Sequence, residues 1–305
     1  MTALSIEGLC KSFGNTPAIT DVNLSVEQGD LFGLLGPNGS GKTTTLSCAL
    51  GLLAPDQGQV TVLNTPSNRI HETAGRIGVV FDRATLIDGL SVSQNLSYAR
   101  ILIAQKGGKS DEEILDIVGL SGRQKQRAGQ LSLGQRRRLS IGRALIGKPE
   151  LLILDEPLSG LDALGVADML DLFKSLQDDG LTLILSTHRL HEMERVVDQV
   201  AVLVDGKVLK AGPLENLLTD PENRIRLAAT PKRKAQAAVK KVPGVQSVHD
   251  GEDGTLTVIP GKARAADLAK AVIDSGCALH RLEPERLSLQ VAFERMVAQE
   301  RGGDA

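Results

Sequence analysis

The run Gly36-Pro37-Asn38-Gly39-Ser40-Gly41-Lys42-Thr43-Thr44 carries the spacing G-x-x-x-x-G-K-[ST]. Its glycines let the main chain curl until successive N–H groups face one point, and a helix that follows directs its positive end at the same place. Phosphate oxygens then find donors without side chains. Lys42 adds a point charge suited to the β- and γ-phosphates of a nucleotide, and the hydroxyl of Thr43, next to Thr44, suits Mg²⁺. A nucleotide with Mg²⁺ is therefore expected. A chance glycine-rich turn is the competing explanation in a chain with 32 Gly among 305 residues, and the apolar run before the motif argues against it.

Asp155 and Glu156 follow the apolar run Leu151-Leu152-Ile153-Leu154. A strand of that kind is buried on both faces of a parallel sheet, and its carboxyl end is where open α/β folds bind ligands. The two carboxylates then divide the work: Asp155 is the candidate for the metal shell, and Glu156 for accepting a proton from water aligned on the γ-phosphate. An Asp-Glu pair at a strand end is ordinarily just solvated. Together with a phosphate cradle it becomes a catalytic candidate.

The elements needed to hold these groups can be read from the pattern. Short strands are expected over Leu4–Leu9 and Ile19–Val26, then an apolar strand from Asp30 to Leu35, and a helix from about Lys42 to Leu52. Pro55 to Gly58 reads as a turn before a strand from Gln59 to Leu63. The region from Ala84 to Pro149 reads as a helical insert. A helix over Ala163–Gln177 between two apolar runs, the second at Leu181–Leu185, gives a strand-helix-strand unit with a right-handed crossover. Near Asp220-Pro221 the pattern changes to strand, helix, strand, strand, helix, strand and a last helix, a split ferredoxin-like order. The expected fold is thus α/β, a core with a mixed sheet, an antiparallel β subdomain and a helical subdomain at about 84–147. The first domain covers 1–219 and a small α+β accessory domain covers 220–305.

Composition narrows the partners. Thirty-five Lys plus Arg against 37 Asp plus Glu give a net charge of −2, so no global positive field gathers nucleic acid. Five Phe, one Tyr and no Trp are too few for a stacking platform. No nucleic-acid partner is expected, and the cluster Lys232, Arg233, Lys234, Lys240 and Lys241 reads as a solvated helix face. No apolar run reaches the length of a spanning helix, the opening MTALSIEGLCK lacks a secretory pattern, and Cys10, Cys48 and Cys277 have no metal-ligand spacing. A cytoplasmic chain with reduced thiols is expected.

Three further segments complete a pattern. Leu131-Ser132-Leu133-Gly134-Gln135, Ser159-Gly160-Leu161-Asp162 and His188 after Ser186-Thr187 follow the first two motifs in an order and spacing that resemble the ATP-binding subunits of ABC transporters. The resemblance covers roughly residues 1–219. It implies a signature sequence at 131–135, a D-loop at 159–162 and a switch histidine at His188, with Lys42 and Glu156 as its catalytic partners. It also implies that Phe13 stacks on adenine, that Ser132 and Gly134 of a second copy cover the γ-phosphate, and that Gln135 and Asp162 belong to the nucleotide-binding residues. ATP would then close two subunits and hydrolysis reopen them. Two positions depart from the family pattern. Asp82 stands where glutamine is usual, which keeps an oxygen ligand near the metal but with a shorter reach and a charge, and Leu133 stands where glycine is usual. The tail resembles the extension of the drug- and peptide-export branch, through Glu283-Pro284-Glu285-Arg286-Leu287-Ser288-Leu289 and Val291-Ala292-Phe293. The implied function is ATP hydrolysis powering export through a separate transmembrane permease, with the chain held at the inner face of the membrane. A soluble ATPase of the same type acting on ribosomes or DNA is the alternative, and predicts two cassettes or a long coiled coil, neither of which this sequence contains.

Overall fold

The computed structural model describes residues 1–82, 85–103, 108–220, 222–251 and 254–302. β1 (Thr2–Phe13) and β2 (Thr16–Glu27) form an antiparallel hairpin with Leu4, Ile6 and Leu9 buried alongside Ile19, Val22 and Leu24. Both strands outrun their expected limits because the ladder continues to Phe13 opposite Thr16. β3 (Leu31–Leu35) is buried at every position and leads through the glycine-rich run into α1 (Lys42–Ala49). That helix stops short of the expected Leu52, since Gly51 turns the chain at φ +63°.

β4 (Gln57–Val62) pairs with β1, and β5 (Thr65–Pro66) with β4, in a sheet ordered β2-β1-β4-β5. β4 starts inside the expected turn, because Gln57 already pairs with Cys10 across a register shift. A 3₁₀ segment, Ser67–Thr73, precedes β6 (Ile77–Val80). The helical stretch comprises α2 (Val92–Ile103), α3 (Asp111–Ile117) and α4 (Leu133–Ala144), and Ala84, where the insert was expected to begin, lies outside the described residues. Capping boxes open α3, through Ser110 and Glu113, and α4, through Ser132 and Gln135.

β7 (Leu151–Asp155), α5 (Ala163–Asp178), β8 (Thr182–Thr187), α6 (Leu190–Met193), β9 (Gln199–Val204) and β10 (Lys207–Pro213) complete the core. The sheet runs β10-β9-β3-β8-β7-β6, parallel throughout except for the antiparallel edge strand β10. β3, β7 and β8 are buried on both faces, which is why their sequences show no polar alternation. Their register sets Leu35 beside Thr187 and Asp155 beside Ser186, so the cradle and the acidic pair leave the sheet at one edge.

The chain forms two compact units, one of Met1–Leu214 together with the segment from Phe293 onward, the other of Glu215–Ala292. The division falls at α7 (Leu214–Leu218), ahead of the expected 219/220 boundary. In the second unit β11 (Ile225–Thr230), α8 (Lys232–Val239), β12 (Ser247–Asp250), β13 (Leu256–Ile259), α9 (Ala265–Asp274) and β14 (Ala278–Pro284) build an antiparallel sheet ordered β12-β13-β11-β14. This is the split βαββαβ arrangement. Leu227 and Val258 from the sheet pack with Ala235, Val239, Leu268 and Val272 from the helices. α10 (Leu289–Gly302) is the last element. Among the described residues no helix is long and apolar enough to cross a membrane.

Candidate functional site

The loop between β3 and α1 is pinned at three points. Gly36 N donates to Thr187 O at 3.3 Å, Ser40 N to Pro37 O at 3.2 Å, and Gly206 N to Ser40 O at 3.1 Å. Gly39 and Gly41 take φ values of +82° and +103°, which turns the backbone back on itself. Pro37, Asn38 and Gly39 form an exposed rim, whereas Ser40 and Lys42 are buried. The Ser40 hydroxyl oxygen is buried without a hydrogen-bond partner in the protein, a polar atom facing a cradle that suits a phosphate oxygen. A Cβ on Gly36 would sit 2.1 Å from the Leu203 carbonyl oxygen and 2.7 Å from Ser40 Oγ. Gly36→Ala is therefore expected to displace the loop and weaken ATP binding by about tenfold or more, measured by equilibrium titration, because the backbone donors lose their shared focus.

Lys42 Nζ donates to Gly36 O at 2.8 Å and Pro37 O at 3.1 Å, and lies 3.5 Å from Glu156 Oε1. Thr43 Oγ1 donates to Asp155 Oδ2 at 3.0 Å, while Asp155 Oδ1 accepts from Ser186 Oγ. Glu156 follows at φ +49°, a left-handed conformation that costs a non-glycine residue on the order of 1 kcal/mol. Its main chain is held there by N–H donation to Ser186 O at 3.0 Å and Ser186 Oγ at 3.3 Å. The turn separates two adjacent carboxylates: Asp155 meets Thr43, and Glu156 meets Lys42 and His188. His188 Nδ1 is 3.1 Å and 3.0 Å from the two oxygens of Glu156. Lys42, Thr43, Asp155, Glu156 and His188 are thereby one connected network.

Thr43 and Asp155 are hard oxygen donors of the kind Mg²⁺ prefers when its other ligands are water and phosphate oxygens. No cluster of three or more His, Cys, Asp or Glu residues of metal-binding geometry occurs among the described residues. Asp82, expected to reach the metal, has its Oδ1 2.8 Å from Arg137 Nη2, and its side chain is 52 % exposed. The reason is that the loop after β6 runs against α4, where a buried guanidinium needs an anion.

The remaining expected residues have local roles in this chain. Ser132 Oγ accepts from Gln135 N at 3.3 Å and Gln135 Oε1 accepts from Ser132 N at 3.1 Å, so both cap α4. Asp162 caps α5 by accepting from Gly165 N at 2.9 Å. Gly134 lies in the first turn of α4. Phe13, at the end of β1, is 53 % exposed, an aromatic face free to stack. Sequence reasoning gave no role to Ser186, which holds both acidic residues, or to Arg137. The signal for Ser186 was a hydroxyl pair, Ser186-Thr187, ending an otherwise apolar strand.

Comparison with known proteins identifies the family. A family model described as ABC transporter matches residues 19–159. The bacitracin transport ATP-binding protein BcrA of Bacillus licheniformis is 31% identical over 299 residues, covering 97% of this chain and 97% of that protein. Among solved structures, cbiO1 from Clostridium perfringens, part of the ABC transporter complex cbiONQ, superposes with a TM-score of 0.65 at 28% identity over 71% of this chain and 90% of its own. The dimeric structure of MJ0796, a bacterial ABC transporter cassette, gives a TM-score of 0.62 at 27% identity, over 69% of this chain and 98% of its own.

Proposed function

The chain belongs to the ABC transporter ATP-binding family and is an ATP-hydrolysing transport subunit, and from that premise we propose that two copies of it drive export through a separate transmembrane permease. The observation that carries the reading is the network joining Lys42, Glu156 and His188 beside the Thr43–Asp155 pair, on a cradle with an orphaned hydroxyl. Export, rather than import, rests on the tail's resemblance to the export branch; the bacitracin transport protein is alike over 97% of this chain, whereas the phosphate and sulfate/thiosulfate import relatives match 72% of it. The relatives are transport proteins, which sets aside action on ribosomes or DNA.

Each residue has a task under this reading. Lys42 turns the hydrogen bonds it now gives to Gly36 O and Pro37 O toward the β- and γ-phosphates. Thr43 and Asp155 would hold Mg²⁺, which would neutralise phosphate charge. Glu156 accepts a proton from the attacking water, and His188 keeps that carboxylate oriented. Phe13 stacks on adenine. Ser132 and Gly134 of the second copy approach the γ-phosphate through the capped start of α4, whose N–H groups favour an anion, with Gln135 in the same turn and Asp162 at the start of α5 beside the nucleotide. The permease is proposed to seat in the 270 Å³ groove between β6, α2 and α4, lined by Phe81, Ala99, Leu102, Ile103 and Ala144. Exposed Tyr98, Ile101 and Leu102 extend its apolar surface. The complex would hold the chain at the cytoplasmic face of the membrane, with residues 220–305 as an accessory domain.

A site completed by a second copy makes hydrolysis depend on encounter. The ATPase rate per mole of chain is expected to rise steeply with protein concentration until dimers saturate. A rate per mole that stays constant over about a hundredfold range at low concentration contradicts the shared site.

A further inference from the structure

A cavity of about 480 Å³ opens at the amino edge of the parallel strands, where Glu150 precedes β7 and Thr182 begins β8. The phosphate cradle leaves the sheet at the opposite, carboxyl edge, so the two share no residue. The floor of the cavity is apolar, formed by the buried side chains of Leu145, Leu176 and Leu181. An apolar floor with a few polar groups converging on it is the usual form of a small-molecule site. One wall is fixed by close backbone packing before α3. A Cβ on Gly108, at φ +100°, would lie 2.4 Å from the Ile146 carbonyl oxygen and 2.6 Å from that of Gly147.

The charges around the rim do not cancel. Leu145 caps the end of α4 and Asp179 the end of α5, so two helix C-termini meet at the cavity, each with about half a unit of negative charge. Three carboxylates line it as well. Glu150 is held by Arg76 at 2.6 Å and 3.0 Å, and Glu113 accepts from Ser110 N at 2.6 Å with the positive field of Lys109 upon it. Asp179 is exposed and has no ion-pair partner among the described residues, the nearby Lys174 lying 3.9 Å from Asp178 instead. It adds an anion where a helix already ends negative, which is unfavourable until a cation arrives. Lys148 on the rim offsets Asp179, and the two helix ends then leave the cavity negative by about one charge.

We propose that this cavity is a second ligand site, for an organic cation with an apolar body: a protonated amine pairs with Asp179 while its hydrocarbon part lies on Leu145, Leu176 and Leu181. The ligand contacts α3 and the ends of α4 and α5 on the edge away from the nucleotide, so it binds without competing with ATP. The inference needs neither hydrolysis nor a permease and stands apart from the transporter reading.

The test is a fluorescence titration of the full chain with two probes that share one apolar body. Dansylcadaverine ends in a protonated amine and dansylglycine in a carboxylate. The amine is expected to bind at least about fivefold more tightly than the acid. Asp179→Asn, a change at an exposed position that relieves the helix end, is expected to weaken the amine by about fivefold and to leave the acid within about twofold. Lys148→Ala is expected to tighten the amine by about twofold to threefold, and saturating MgATP to leave it bound. Equal affinity for the two probes, unchanged amine binding in Asp179→Asn, weaker amine binding in Lys148→Ala, or displacement by MgATP overturns the proposal. A wild-type chain that binds the amine as expected yet hydrolyses no ATP supports this site and counts against the transporter reading alone.

Discussion

Replacing Glu156 by Gln is expected to lower the steady-state ATPase rate by about 10²–10⁴-fold, the ordinary worth of a positioned general base. The substitution keeps size and hydrogen-bonding reach, so Lys42 and His188 still have a side chain to contact. ATP affinity should change by less than about threefold, because Glu156 adds nothing to the phosphate cradle apart from its 3.5 Å contact with Lys42. A variant that binds ATP normally and hydrolyses it at more than about a tenth of the native rate removes Glu156 from the chemistry.

The second large effect belongs to Lys42. Its side chain is 6 % exposed, and its ammonium donates to Gly36 O and Pro37 O and lies 3.5 Å from Glu156 Oε1. Lys42→Ala removes charged hydrogen bonds worth about 1.5–3 kcal/mol each, so ATP affinity should fall at least about tenfold to a hundredfold. Hydrolysis should fall further still. The change also leaves Glu156 with His188 as its only remaining partner in the network, so the melting temperature should shift by no more than a few degrees while binding collapses. Equilibrium titration with ATP beside a thermal melt separates the two outcomes. Loss of folding together with binding points to Lys42 as a structural residue.

Much of the site could be read before the fold was known because its geometry is local. The cradle is nine consecutive residues between a strand and a helix, and Asp155-Glu156 ends a strand whose apolar run announces its burial. Contacts between distant segments were not legible. Ser186 reaches Asp155 across two neighbouring strands, and nothing in the local pattern of β8 reveals that register. Asp82 was assigned from its distance along the chain to a family glutamine position, yet its partner lies fifty-five residues away on α4. The Ser132 to Gln135 spacing satisfies two rules together, a signature and a capping box, and the sequence alone cannot separate them. Element ends also differed where long-range pairing extended them, as when β1 and β2 continued to the turn at Gly14. The split order of the second unit was legible because short turns with glycine and proline separate its elements.

The central claim is that ATP joins two copies of this chain across a shared site. The direct measurement is the solution mass of the Glu156→Gln chain by sedimentation, with MgATP and with MgADP. The account predicts twice the 32.3 kDa chain mass with ATP and a single chain with ADP. A single chain under both nucleotides, at concentrations where ATP binding is saturated, contradicts it.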